Sequence, residues 1–196
     1  MSDAVSALVE NYVAQERYSG IERHFSKKGE TLSQGCVGYA DFEQKTPIPK
    51  DAIYRIYSMT KPIISVLALM LIELGRLRLH DPLHAFDPRF RCLKVLHTNG
   101  EMEPAKSAIT VEHLLTHRAG FSYEFLLGCQ IAAYYRDANL VDDGTRRLDE
   151  MMGALCEIPL AFHPGEDWRY SVATDVLAHL IERATGERTD VLLKKH

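Results

Sequence analysis

The 196-residue chain has no run of apolar residues long enough to cross a bilayer, for which roughly 20 are needed; its longest stretch, from Pro62 to Ile72, falls short. No basic, apolar leader opens it: the N-terminus carries an early Asp3 and helically spaced Val5, Leu8, Val9, Tyr12 and Val13. No block of one charge sign occurs, and the net charge is −4, so neither a nucleic-acid footprint nor a membrane-binding patch is expected. The four cysteines, Cys36, Cys92, Cys129 and Cys156, include no C-x-x-C pair and read as separate thiols in a reducing compartment. Together these absences lead us to expect a soluble, cytoplasmic protein without a cofactor. Several catalytic signatures are also missing. There is no G-x-S-x-G elbow, no Gly-rich phosphate loop and no H-E-x-x-H. His113 and His117 are four apart but lack the glutamate, and Pro82 separates His80 from His84, so a metal centre is not expected and His117 reads as structural.

What is present is enough apolar sequence, 46%, for one sizeable core or two small ones. The periodicity predicts a first helix ending near Tyr18, strands over 21–27 and 33–40 joined by Lys28-Gly29-Glu30, and a proline-containing loop over 43–52. A long helix over 59–74, stopped by Gly75, is apolar around most of its circumference and is expected to be buried. Residues 80–106 read as irregular. A short helix capped by Thr110 precedes Gly120, and further helices are expected over 122–136 and 144–156. After a turn over 163–167, a final amphipathic helix runs from Ser171 to Gly186 and leaves a basic tail. Strand signals are confined to the first quarter.

The chemistry-bearing residues are few. Ser58 and Lys61 lie three apart at the mouth of the long helix, on one helical face. A serine hydroxyl attacks only when a neighbour takes its proton, and a lysine whose ammonium is perturbed by burial or charge can assist. The helix start favours developing negative charge, and the Ser58 N–H can donate to an oxyanion. The bland alternative is an N-cap serine beside a solvated lysine. Tyr170 opens the last helix; it reads as an aromatic staple unless a cation such as Lys61 stands beside it, where a phenol can work as a base.

The context of these residues resembles a known family. DAIYRIYSMTKPIISVLALMLIELGRLRLHDPL is similar to the nucleophile region of the serine β-lactamase-like superfamily, and IYSMTKPI most resembles the family VIII carboxylesterases. GYADFEQKTPIPKDAIYRI, ITVEHLLTHRAGF and HPGEDWRYSVATDVLAHLIERATG resemble further segments of that family, in its order. The resemblance implies an α+β fold of the β-lactamase/DD-peptidase type. Residues 1–57 would form a helix and strands of the sheet domain, and 58–196 the mainly helical domain. It implies Ser58 as acyl-forming nucleophile, Lys61 as its polarising partner and Tyr170 as general base, acting on a small ester or lactam. Where β-lactamases carry Tyr-x-Asn, this chain has Tyr170-Ser171-Val172, which favours an esterase. Only 26 residues follow Tyr170, so the family's third motif and the strand bearing it are expected to be absent, and the chain alone to be weakly active or inactive. A β-lactamase or DD-peptidase and a non-catalytic remnant or binding module are the alternatives.

Overall fold

The computed structural model describes residues 2–126, 128–141 and 146–196, which form two compact units, Met1–Ile56 and Tyr57–His196. The first opens with helix α1 (Ser2–Ala14) and continues with strands β1 (Gly20–Lys27), β2 (Glu30–Asp41) and β3 (Thr46–Pro47), antiparallel in the order β1-β2-β3. Helix α1 stops four residues before the expected Tyr18, because Glu16 turns left-handed (φ 56°) and Arg17 N–H closes back on Tyr12 O at 3.1 Å. The hairpin turns at Lys28-Gly29, both at positive φ, where the turn signal lies. Its register shifts between Phe25 and Ser26, leaving Leu32 as the extra residue of a bulge. Gly38 pairs with Gly20 at φ 84°, and a Cβ there would meet Ser19 O at 2.3 Å, so this crossing of backbones admits no side chain.

The second unit carries the core. Tyr57 takes a left-handed conformation (φ 46°) and leads into a 3₁₀ turn, Tyr57–Met59, from which α2 (Thr60–Glu73) runs on. After α3 (Leu83–Phe86) come β4 (Lys94–Leu96) and β5 (Met102–Pro104), then α4 (Val111–Leu115), α5 (Ile131–Asp137), α6 (Leu148–Leu155), α7 (Ala173–Thr185) and α8 (Thr189–Lys195). Helix α7 is the hub: α2, α3, α4, α6 and α8 all pack on it. Its Val176, Leu177, Leu180 and Ile181 are wholly buried, following the apolar stripe of the sequence. Thr110 caps α4 as expected, its hydroxyl accepting from His113 N–H while His113 Nδ1 accepts from Thr110 N–H.

Four expectations need correction. Helix α2 is not buried all round: Ile64, Leu67, Ala68 and Leu71 face the core, whereas Ile63, Val66 and Leu69 are half exposed, because packing is supplied along one stripe of the helix. Residues 80–106 are not wholly irregular. They hold the β4–β5 hairpin, in which Leu96 N–H bonds to Leu160 O and Leu160 N–H to Lys94 O; three-residue strands are too short to show an alternating pattern. The helix expected over 122–136 begins only at Ile131, since Ser122 spends its backbone on Tyr135 Oη and Val172 N–H; position 127 lies outside the described residues, as do 144 and 145 of the helix expected over 144–156. The basic tail is helix α8, anchored by buried Leu192 and by Thr189 N–H bonding to Glu182 Oε1 at 2.8 Å. Among the described residues no helix is long and apolar enough to cross a membrane.

Candidate active site

Ser58 does not cap α2: the residue at the cap position is Met59, and no side chain closes the helix start. The Ser58 hydroxyl instead stands exposed at the entry to α2, where Lys61, one turn on, reaches back to it at 3.3 Å. Tyr170 arrives from the loop before α7 and places its Oη 2.5 Å from Ser58 Oγ. A fourth group joins them that the sequence did not reveal. Tyr123 Oη accepts from Lys61 Nζ at 3.0 Å, and the ammonium lies 4.8 Å from the Tyr170 ring centre and 5.4 Å from that of Tyr123. The three residues singled out in the sequence thus meet within hydrogen-bonding reach, with Tyr123 beside them.

The two tyrosines are held by one piece of local architecture. The segment 117–122 runs beside 161–172, joined by Ala161 N–H to Gly120 O, Gly165 N–H to Arg118 O, Arg169 N–H to His117 O and Val172 N–H to Ser122 O. Gly120 (φ 89°) is required here, since a Cβ would lie 2.5 Å from Phe162 O. Tyr135, fully buried in α5, accepts from Ser122 N–H at 3.0 Å and fixes the residue before Tyr123. His117 packs its ring 5.1 Å from Tyr170 and contacts Ser171 Oγ at 3.3 Å through Nδ1; burial, then nearby Lys61, pushes its pKa down. It supports the Tyr170 ring from behind.

The electrostatics separate the two phenols. Burial would raise the pKa of Tyr170, but its hydrogen bonds with Ser58 and Lys61 and the lysine's charge outweigh that and bring it below the ordinary tyrosine value. Tyr123 is more deeply buried, and burial wins: its pKa is raised despite the same lysine. Lys61 would be lowered by burial, yet its bonds with Tyr123 and Tyr170 raise it, so it stays an ammonium. Tyr170 is therefore the phenol that more readily gives up its proton, and it is the one in contact with the serine.

These groups line a cleft of about 570 Å³ together with Tyr57, Glu124, Phe125 and Asp175. Among the described residues, two His/acid clusters elsewhere have ligand-like spacing, but each is closed by hydrogen bonds. His97 Nε2 and His163 Nε2 both lie 2.8 Å from Glu103 Oε1, and His163 Nδ1 accepts from Lys106 N–H, which leaves the proton on Nε2 facing the carboxylate. In the other, the Arg89 guanidinium fills the space between Asp87 and Asp149. His113 is spent on its helix cap.

Residues 5–196 match the family model described as Beta-lactamase. Esterase EstB of Burkholderia gladioli is 33% identical over 186 residues, covering 93% of this chain and 45% of the esterase. Lovastatin esterase of Penicillium rubens is 32% identical over 148 residues, 73% of this chain and 36% of that protein. The solved structure of EstCE1, a hydrolase with promiscuous acyltransferase activity, superposes with a TM-score of 0.82 at 28% identity, over 98% of this chain and 49% of that one. The chain spans about half the length of the curated relatives it matches, or less.

Proposed function

From the premise that the chain belongs to the beta-lactamase family, a family of serine hydrolases and acyltransferases with an α+β fold, we propose that it carries an esterase-type Ser-Lys-Tyr site. Ser58 is the nucleophile. The observation that carries the reading is the 2.5 Å contact between Tyr170 Oη and Ser58 Oγ, on a phenol whose pKa is pulled down, with the Lys61 ammonium touching both partners. As a phenolate, Tyr170 accepts the Ser58 proton while Oγ attacks an ester carbonyl; the same phenol then returns that proton to the departing alcohol. Lys61 stays charged throughout and stabilises the phenolate, and Tyr123 holds the lysine in place from the far side. Water, activated by Tyr170, then hydrolyses the acyl-enzyme. An alcohol taking the place of water would give acyl transfer by the same steps.

An ester is favoured over a lactam because Val172, where β-lactamases have an asparagine, is wholly buried in the core and offers no amide to the cleft. The test is turnover of p-nitrophenyl butyrate and of nitrocefin by the purified chain, with fluorophosphonate labelling of Ser58. The proposal expects labelling and measurable ester hydrolysis, both lost in Ser58→Ala, and slower nitrocefin cleavage. Nitrocefin as the better substrate would favour the lactamase reading. A folded chain that neither labels nor turns over either compound would favour a binding module.

A further inference from the structure

The cleft around Ser58 has an unusual lining for a site that takes plain alkyl esters. It holds one cationic side chain among its described residues, Lys61, against two carboxylates, Glu124 and Asp175. The cation is already engaged with Ser58, Tyr123 and the Tyr170 ring. The carboxylates are not satisfied in the same way. Asp175, in the first turn of α7, bonds its own backbone; burial pushes its pKa up and Lys61 pulls it only part of the way back. Glu124 has one carboxylate oxygen, Oε2, removed from solvent with no hydrogen-bond partner. An unpaired carboxylate oxygen held away from water is costly, and a cation close to the same carboxylate offsets part of that cost.

The aromatic rings of the cleft point the same way. Tyr123 and Phe125 stack at 4.9 Å, and Tyr57 and Phe125 remain 68% and 59% exposed at the mouth. Rings presented to a cavity with carboxylates near them form the surroundings that hold alkylated ammonium groups, through the negative face of the ring and the charge of the acid. Neutral alkyl chains would gain from the rings but not from the carboxylates.

We propose that this cleft selects substrates bearing a positively charged, alkylated ammonium group, with Asp175 and Glu124 as counter-charges and Phe125 and Tyr57 as the aromatic wall. The inference rests on the esterase reading for its chemistry, but binding can be tested apart from turnover. The measurement compares cationic substrates with their carbon isosteres on the full chain. Butyrylthiocholine is set against S-(3,3-dimethylbutyl) thiobutyrate, and p-nitrophenyl 4-(trimethylammonio)butanoate against p-nitrophenyl 5,5-dimethylhexanoate, so that the charge lies in the leaving group or in the acyl group. At least one cationic member should have a kcat/KM about tenfold above its isostere, as one cation–π and one ionic contact would give. Asp175→Asn and Glu124→Gln should each reduce that ratio, chiefly through KM, while the neutral member still reports a folded enzyme. Equal ratios in the wild type, or a preference that both variants leave unchanged, would overturn the proposal. If neither member of either pair is turned over, the esterase reading is what fails. Calorimetry with choline and 3,3-dimethylbutanol then decides: choline binding weakened in Asp175→Asn upholds the cation site, and no preference for choline removes it.

Discussion

The two units of this chain use their apolar residues in opposite ways. Every fully buried apolar side chain among the described residues lies at or beyond Ile64; the first unit has none, and Leu8, Phe25, Leu32 and Ile53 are among its exposed ones. The first unit is held by its strand ladder, a turn and close glycine packing. The second has a contiguous core around α7, and it also carries Ser58, Lys61, Tyr123 and Tyr170. A hairpin's hydrogen bonds contribute modestly when their alternative is water, whereas each large side chain fully buried contributes about 1.5–3 kcal/mol. The difference teaches that a well-formed sheet register and a stable core are separate properties, and that the candidate chemistry is mounted on the core.

The largest test of that contrast is functional. Tyr170→Phe should lower kcat/KM for p-nitrophenyl butyrate by about 10²–10⁴-fold, the loss typical of a general base. Tyr12→Phe, in α1, should leave it within about twofold. Comparable losses would mean that the chemistry is not confined to the second unit. Next comes packing. Leu177→Ala, at a wholly buried position of α7, should destabilise the second unit by about 2–5 kcal/mol, followed by urea titration of the fluorescence of Trp168, the single tryptophan. Val37→Ala, half-buried in β2, should cost about 1 kcal/mol or less and leave the Trp168 transition in place.

A third prediction concerns acid. Asp87 is buried and accepts from His179 Nε2 and, through both oxygens, from Arg89. Burial alone would raise its carboxyl, but Arg89 first and then His179 hold it down at about 2, against an ordinary value of 3.8. Because the folded-state value is depressed, the stabilisation is complete above about pH 4 and is lost as the pH falls through about 2. That loss is about 2 kcal/mol by linkage, and it should appear as a falling urea midpoint for Trp168 that Asp87→Asn removes. A smaller effect than these losses of core packing and acid stability is local. Thr110→Ala should cost about 1 kcal/mol through the lost α4 cap, with no change in the pH dependence just described.

Several elements were legible because their cause is local. The Lys28-Gly29 turn, the Thr110 cap and the apolar stripe of α7 each follow from neighbours within a few residues. The Ser58–Lys61 spacing belongs here too, since an i, i+3 pair needs only a helical turn to meet. The misses share a different cause. Strands β4 and β5 are short and gain their definition from Leu160 on a distant segment. The stretch after Phe121 stays out of a helix because the Ser122 N–H is given to Tyr135 Oη and its carbonyl to Val172 N–H. Tyr123 left no signal, because its importance lies in a 3.0 Å contact with a lysine 62 residues earlier.

By itself the sequence determined which residue types stand at which helix starts: a serine in the turn before α2 and a lysine in its first turn, and a tyrosine ahead of α7. Their backbone environments are set by nearest-neighbour sterics and hydrogen bonds, so spacing suffices. Only the tertiary structure decided that Tyr170, and not Tyr123, meets the Ser58 hydroxyl. Two phenols share one ammonium, and the deeper burial of Tyr123 against the half-buried, doubly bonded position of Tyr170 sends their proton affinities in opposite directions. Burial depth is a property of how helices pack, and no spacing along the chain encodes it.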